Sequence, residues 1–184
     1  MSIIKHYAYW HPGAILSNRS PNTSHIMRNI LWSFPPKDTH KINYDASWIS
    51  AQTNAGFGFI MRNFAGNFKA AGIGSFKASS AEESEAVTPL HTVQWAVTKK
   101  IENLIIEWDN PTTTMYVQGK SNSIQWQCIA VLDEIKKLVN QLVFFLGFKV
   151  VDRKANGAAD ILAKKGTNSS QSNLGRISTS FYHS

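Results

Sequence analysis

The segment KINYDASW, residues 41–48, alternates apolar and polar side chains as a β-strand with one buried face does. Its apolar face carries Ile42, Tyr44, Ala46 and Trp48, and its polar face carries Lys41, Asn43, Asp45 and Ser47. Two more short runs with strand character, AGFGFIMR and FKAAGIGSF, follow it and are separated by the glycine-bearing turn NFAGN. The pattern predicts three successive antiparallel strands.

A helical period replaces the strand period after residue 80. Ser80 and Glu83 have the spacing of a capping box, which marks the start of a helix. Apolar residues then recur at helical intervals from Ala86 to Val97, and this predicts a helix over residues 81–100.

The rest of the chain alternates strand and helix patterns. The predicted elements are a strand at 103–108, a short helix from Pro111 to about 118, a helix from Trp126 to Leu142, an extended run in LVFFLGFKVV and a helix that stops at Gly166. A strand that follows a crossover helix joins its sheet in parallel. The order βββαβααβα therefore predicts an α/β fold with a mixed five-stranded sheet, in which three antiparallel strands precede parallel additions and helices flank the sheet.

The predicted elements occupy the middle of the chain. With 184 residues, of which 43% are hydrophobic, the protein has enough apolar side chains for one domain with a single core. Residues 1–38 lack a sustained period and are rich in Pro, Ser, Asn and His, so we expect an irregular lead-in. Residues 168–184 are polar, and we expect a disordered C-terminal tail. The predicted domain covers residues 39–167.

Charge and cysteine content narrow the class of protein only in part. The formal net charge of +7 is spread without a dense basic patch, so a mildly basic globular protein and a nucleic-acid-binding protein both remain open. The lone Cys128 lies in an apolar helical stretch, which predicts a buried structural thiol in a reducing compartment. No secretory signal or membrane-spanning run is evident. We expect an intracellular protein of the nucleus or cytoplasm, without a membrane role.

Acidic residues fall where the predicted elements would bring them together. Asp45 lies on the first strand, and Asp109 ends the strand that follows the first long helix. Parallel neighbours place their carboxyl ends at one edge of a sheet, where α/β proteins commonly bind ligands. Asp160 belongs to the last helix. The first long helix opens with three glutamates, Glu82, Glu83 and Glu85.

Each acid also has an ordinary structural interpretation. Asp45 alone would be a solvated strand acid, Asp109 a cap for the helix at Pro111, and Asp160 a routine helix acid. The three glutamates are favourable charges for the first turns of a helix, and composition does not choose among them.

Four carboxylates in one concavity need positive charge, because like charges at close range otherwise bind protons. Oxygen ligands without His or Cys suit Mg²⁺ or Mn²⁺ rather than Zn²⁺. Two such ions can hold the attacking water and the leaving oxygen of a phosphodiester in line. The joint pattern therefore favours a metal site for phosphodiester chemistry.

Five motifs between about residue 40 and residue 166 carry a specific resemblance. They are KINYDAS, AGFGFIMRNFAGNF, SEA, IENLIIEWDN and VVDRKANGAADILAK. In order and spacing they resemble the plant ribonuclease H-like family, which is related to the ribonuclease H domains of non-LTR retroelements. The resemblance implies a ribonuclease H-like fold.

The resemblance also assigns residues to roles. It places the family's metal-binding acids, which would hold two Mg²⁺ or Mn²⁺ ions, on Asp45, Glu85, Asp109 and Asp160, and so selects Glu85 over its two neighbours. Arg153 stands where many related enzymes carry a His that assists product release, so it is expected to contact phosphate or product; the alternative is a surface arginine.

Three further residues are candidates for substrate contact. Asn156 precedes the last helix, where it would contact substrate or cap that helix. Ser47 and Asn54 flank the first hairpin and are expected to reach the nucleic-acid backbone. Hybrid duplexes would be recognised by their shape and by the 2′-hydroxyls of the minor groove.

The implied activity is that of a monomeric, metal-dependent endonuclease that hydrolyses the RNA strand of RNA–DNA hybrids. Two features favour an alternative, a catalytically weak or inactive retroelement-derived module that binds nucleic acid. Pro89 removes the amide that would bond to the Glu85 carbonyl, so it is predicted to kink the helix and displace Glu85. In addition, only QGKSNS stands where related enzymes have a basic protrusion, which predicts modest substrate affinity.

Overall fold

The computed structural model describes residues 32–121 and 123–169, and the elements found there form a single mixed sheet with helices on both faces. The strands are β1 (His40–Ser47), β2 (Ala55–Arg62), β3 (Phe68–Phe76), β4 (Leu104–Trp108) and β5 (Phe145–Val150). Their order across the sheet is β3-β2-β1-β4-β5. Pairs β1–β2 and β2–β3 are antiparallel, whereas β1–β4 and β4–β5 are parallel. The predicted fold class is thus confirmed.

Four α-helices connect and follow these strands in the predicted order. They are α1 (Ala81–Thr98), α2 (Pro111–Val117), α3 (Trp126–Leu138) and α4 (Gly157–Thr167), with 3₁₀ turns at Val139–Gln141 and Arg153–Asn156. Helix α3 is shorter than predicted, because its last turn tightens into the first of these 3₁₀ turns.

Glycines on β2 and α4 bring the last helix into close contact with the sheet. A Cβ atom on Gly56 would lie 2.2 Å from the Ala163 carbonyl oxygen, and one on Gly58 would lie 2.4 Å from the Ala163 amide nitrogen. A Cβ atom on Gly166 would lie 2.5 Å from the Gly74 carbonyl oxygen. The prediction that Gly166 stops the helix is therefore wrong: α4 continues to Thr167, and the glycine serves close packing instead.

The alternate residues of β2 separate the two faces of the sheet. Phe57 stacks on His91 and Phe59 packs on Trp95, both of α1, whereas the intervening glycines face α4. Tyr44 pairs with Phe59 across β1 and β2 and is fully buried on the α1 face. The main apolar core therefore lies between the sheet and α1, and polar residues of β1 face α4.

The ends of the chain contribute differently to the described structure. In the predicted lead-in, Trp32 and Ser33 form hydrogen bonds to side chains of β1. Most of the predicted C-terminal tail, residues 170–184, lies outside the described residues. Cys128 is buried, as expected for a structural thiol. Among residues 32–121 and 123–169, no helix has the length and hydropathy needed to cross a membrane.

Candidate active site

Two adjacent parallel strands bring two of the predicted acids to one edge of the sheet. Asp45 lies near the end of β1, directly opposite Gly58, and its side chain is only 6% exposed. Asp109 follows Trp108, the last residue of β4. Because β1 and β4 run parallel, their carboxyl ends share this edge.

The glutamates that open α1 divide into capping and site residues. Ser80 Oγ accepts a hydrogen bond from the Glu83 amide at 3.1 Å, and a Glu83 carboxylate oxygen accepts one from the Ser79 amide at 2.7 Å. Glu83 thus completes the predicted cap. Glu85, two residues further along the helix, is close enough to Asp45 and Asp109 for their charges to raise its pKa.

Pro89 does not end the helix that carries Glu85. Helix α1 continues through Pro89 to Thr98, with the proline buried inside it. Thr88 and Thr92 on either side donate their hydroxyl groups to carbonyl oxygens one turn earlier. Glu85 therefore remains beside Asp45 and Asp109, whereas the sequence predicted that Pro89 displaces it.

The charges of Asp45, Glu85 and Asp109 act on one another, so these three acids form one cluster. Burial, and then the charge of Asp109, raises the pKa of Asp45 to about 7. Burial, followed by the charges of Asp45 and Asp109, raises the pKa of Glu85 to about 8, against a lowering by Arg153 and by the Asn110 side chain. Each acid therefore makes ionisation of its neighbour less favourable.

Asp160 and two cations lie at the border of this cluster. The charge of Asp160 also contributes to the raised pKa of Asp45. Lys164, one turn along α4, places Nζ 2.7 Å from Asp160 Oδ2. Arg153 places Nε 3.9 Å from Asp109 Oδ2, but its side chain is 82% exposed. Solvent screens so exposed a charge, so Arg153 neutralises the cluster only in part.

The donor set suits a hard divalent cation. All four acids offer carboxylate oxygens, the ligands that Mg²⁺ and Mn²⁺ prefer. Burial, and then the charges of neighbouring acids, raise the pKa of Asp45 and of Glu85, so a bound cation would favour their ionised forms. Within the two described segments, no three acidic, histidine or cysteine side chains are placed so that they could hold a metal ion together. The oxygen donors of the four acids fit the predicted ions in chemical type, whereas their positions do not form a ligand set.

Asn156 immediately precedes α4, as predicted, but its side chain does not cap that helix. Its side chain is 1% exposed and donates from Nδ2 to the Tyr44 carbonyl oxygen at 2.9 Å. It makes no side-chain capping hydrogen bond to α4, so the predicted capping role is wrong. Instead, this hydrogen bond joins the start of α4 to the residue before Asp45.

The other predicted residues lie around the acidic edge. Ser47 ends β1 opposite Gly56, and Asn54 immediately precedes β2, both with partly exposed side chains. Asn110, and not Asp109, caps α2 by accepting a hydrogen bond from the Thr113 amide at 3.0 Å. Asp109 is therefore free of the capping role that sequence left open.

A groove of about 490 Å³ begins beside Glu85. It runs between the first turns of α1 and α2 and the start of α3, and it is lined by Glu85, Asn110, Thr112, Ser123, Gln125 and Cys128, among others. Half of the lining side chains carry uncharged hydroxyl or amide groups, and Ala86 and Ile124 add apolar surface. The groove gives an elongated ligand polar contacts next to the acids.

Sequence reasoning did not assign Asn110 or Lys164 to this region. Asn110 was visible as the residue between Asp109 and Pro111, a common position for a helix cap. Lys164 stands four residues after Asp160, the spacing at which oppositely charged residues meet on a helix. Both signals were local, but neither pointed to the site until the four acids were placed together.

The strand order of the mixed sheet and its flanking helices form a ribonuclease H-like fold. Ribonuclease H1 of the archaeon Halobacterium salinarum is similar in structure, with a TM-score of 0.64 and 14% identity over 70% of this chain and 96% of that one. LC11 ribonuclease H1 from compost, solved with an RNA/DNA hybrid, gives a TM-score of 0.63 and 15% identity over 71% and 97%. The protease–reverse transcriptase of prototype foamy virus gives 0.54 and 13% over 71% and 21%.

Residues 43–166 match the model of the reverse transcriptase-like family, and the chain belongs to that family. The matched segment includes all four clustered acids, together with Arg153 and Asn156. No curated protein matches the chain by sequence.

Proposed function

We propose that the protein is a metal-dependent endonuclease that hydrolyses the RNA strand of RNA–DNA hybrids. The observation that carries this proposal is the cluster of Asp45, Glu85 and Asp109 at the carboxyl ends of two central parallel strands, with Asp160 beside it. Burial and mutual repulsion raise the pKa of two of these acids, which favours a positively charged ligand there.

The four acids would hold two Mg²⁺ or Mn²⁺ ions. Such ions, when bound, activate a water molecule and stabilise the departing 3′-oxygen of the RNA strand. The chain itself supplies the rigid frame for these ligands, because Asp45 is on a central strand and Asn156 ties that strand to α4. Arg153, exposed beside Asp109, is in a position to contact a phosphate of substrate or product.

Two observations support a nucleic-acid duplex as the substrate. The groove beside Glu85 offers hydroxyl and amide groups, which suit the sugar edges of a nucleic acid and the 2′-hydroxyls that distinguish RNA. Ser47 and Asn54 would contact the backbone from the first hairpin. Among proteins of the same fold, LC11 ribonuclease H1 and a foamy viral protease–reverse transcriptase have been solved with an RNA/DNA hybrid.

We further infer that the protein belongs to the plant-type, retroelement-derived group of this family. The motifs that support this origin are SEA, EWDN and DRKAN, which carry Glu85, Asp109 and Arg153. We expect a monomer that works in the nucleus or cytoplasm.

A second candidate is a nucleic-acid-binding module with weak or no hydrolytic activity. It is favoured by the finding that, within residues 32–121 and 123–169, no three acidic, histidine or cysteine side chains are placed so that they could hold a metal ion. In this case the acids would be remnants of a catalytic site.

A cleavage assay separates the two candidates. Labelled RNA–DNA hybrid is incubated with the protein and Mg²⁺, Mn²⁺ or a chelator, with double-stranded DNA as a second substrate. We expect metal-dependent cleavage of the RNA strand alone. Asp109→Asn removes a metal ligand and should lower the rate at least about 100-fold.

Asp38→Asn is the matched control. Asp38 is exposed in the turn before β1 and has a φ of 59°, a conformation that Asn tolerates. This variant should cleave as the parent does. Absence of cleavage by a folded parent protein, with retained binding of the hybrid, would favour the second candidate.

A further inference from the structure

A polar network lies below the acidic edge on the same face of the sheet. Lys41 and Asn43 alternate with Asp45 along β1, so all three side chains point toward the α4 face. Asn43 is paired with Glu107 in the parallel β1–β4 ladder. Asp45 and Asp109 each follow two residues further along these chains. The network is thus one step from the proposed catalytic acids.

The members of this network satisfy one another. Lys41 Nζ lies 2.8 Å from Glu107 Oε1, and Asn43 Nδ2 donates to Glu107 Oε2 at 3.3 Å. Lys41 Nζ also donates to the carbonyl oxygen of Ser33 at 2.8 Å. The Lys41 side chain is 3% exposed and that of Glu107 is 7% exposed. The sheet therefore holds a buried ion pair with hydrogen bonds on both partners.

The segment that precedes β1 covers the network. Trp32 donates from Nε1 to Asn43 Oδ1 at 2.7 Å. Its ring centroid lies 5.2 Å from Lys41 Nζ and 4.9 Å from Arg62 Cζ. Cations at such distances from the face of an indole are attracted to it. Trp32 therefore binds three side chains of the sheet and shields the ion pair from water.

Stability alone does not account for this arrangement, because a buried ion pair is commonly no more stable than apolar residues of the same size. Its special property is that it joins β1 to β4 in one register. The β1–β4 ladder has only four residue pairs, His40 with Leu104 to Asn43 with Glu107. A slip by one residue would turn every β4 side chain to the opposite face and separate the acids.

We propose that Lys41, Asn43 and Glu107, covered by Trp32, are positioning residues that fix the register of β1 against β4 and thereby set the separation of Asp45 and Asp109. The expected effect of this network on metal binding rests on the proposed function. Its expected effect on the register of β1 and β4 does not. The network contributes the alignment of the acids and takes no part in the reaction.

The test compares a variant without the ion pair, Lys41→Met with Glu107→Leu, to the parent chain. Lys137→Met with Glu134→Leu is the matched control, because it makes the same substitutions in an exposed pair 3.5 Å apart on α3. Trp32→Phe is a milder second variant that loses the indole donor to Asn43 and keeps an aromatic ring beside Lys41 and Arg62. All four proteins are tested for folding by urea denaturation.

Two readouts follow. The first is the set of NMR contacts between backbone amides of β1 and β4 without metal, and the second is the Mn²⁺ concentration that half-saturates the protein, measured by paramagnetic broadening. We expect the ion-pair variant to lose the native cross-strand contacts and to need about tenfold more Mn²⁺. Trp32→Phe should shift in the same direction by less, and the α3 control should match the parent. With hybrid substrate, kcat should fall while KM is unchanged.

Failure of this proposal is distinguishable from failure of the proposed activity. Native β1–β4 contacts in both the ion-pair variant and Trp32→Phe would overturn it, whether or not the parent cleaves RNA. A shifted register in the ion-pair variant, combined with a parent that cleaves no hybrid, would support the positioning role and overturn only the proposed nuclease activity.

Discussion

The two ends of the β1–β4 pair carry charged groups on the same face of the sheet, but these groups are neutralised by a partner at one end only. At the paired end, Lys41 and Glu107 neutralise each other at 2.8 Å. At the acidic end, the charge of Asp109 raises the pKa of buried Asp45, and the nearby Arg153 is exposed to solvent. Only the paired end supplies a buried counter-charge, because Arg153 and Lys164 at the acidic end are exposed. The unsatisfied end is where an external cation belongs.

Removal of one partner from the paired end should have the largest effect on stability. Glu107→Leu leaves Lys41 buried without its carboxylate, and we expect the free energy of unfolding to fall by about 3 to 5 kcal/mol. Urea denaturation at pH 7 measures this loss. Glu134→Leu in the exposed pair on α3 should change it by less than about 0.5 kcal/mol. Equal losses in both variants would mean that the paired end is not electrostatically special.

Removal of charge from the acidic end should have the opposite sign. Because the pKa of Asp45 is about 7 in the folded protein and about 3.9 in an unfolded chain, its contribution to stability is complete below pH 4 and is lost as the pH rises to 7. Without metal, Asp45→Asn should equal the parent near pH 4 and be about 1 to 3 kcal/mol more stable at pH 8. Urea denaturation across this pH range, with chelator, tests the sign. If Asp45→Asn were less stable than the parent at pH 8, the charge of Asp45 would not be unfavourable in the metal-free protein, which would contradict this account.

Substitution of Pro89 tests whether the position of Glu85 at the acidic end depends on the proline. Pro89→Ala restores one helix amide, and we expect a gain in the free energy of unfolding of about 1 kcal/mol, less than a full proline penalty because the ring is buried and packed. Hydrolysis should be unchanged, because α1 already holds Glu85 beside Asp45. A large change in hydrolysis in either direction would show that Pro89 sets the position of Glu85.

Local patterns predicted much of the fold and of the acidic end. The alternation along KINYDASW assigned Asp45 to the polar face of β1, and the Ser80–Glu83 spacing located the start of α1. Both depend on neighbours within a few residues. The choice of Glu85 came from the family resemblance, and the structure accounts for it by engaging Glu83 in the cap.

Contacts between segments that are distant in the chain could not be predicted from local sequence patterns. Glu107 stands in the apolar run NLIIEWDN, and its buried partner Lys41 is on another strand, so the pair exists only once the parallel register is known. Asn156 was predicted to cap α4 or to contact substrate. The capping role is wrong, because its side chain donates instead to the carbonyl oxygen of Tyr44, 112 residues earlier in the chain. Gly166 resembled a helix stop, and only the sheet beside it explains why the glycine is needed.

The most direct test of the contrast between the two ends is the stability gained from Mg²⁺. Unfolding of the parent and of Asp45→Asn is measured at pH 8 with chelator and with Mg²⁺ in excess. The parent should gain about 1.4 kcal/mol when Mg²⁺ is tenfold above its dissociation constant, and Asp45→Asn should gain little. An equal gain in both proteins, or none in the parent, would contradict a cation site at the acidic end.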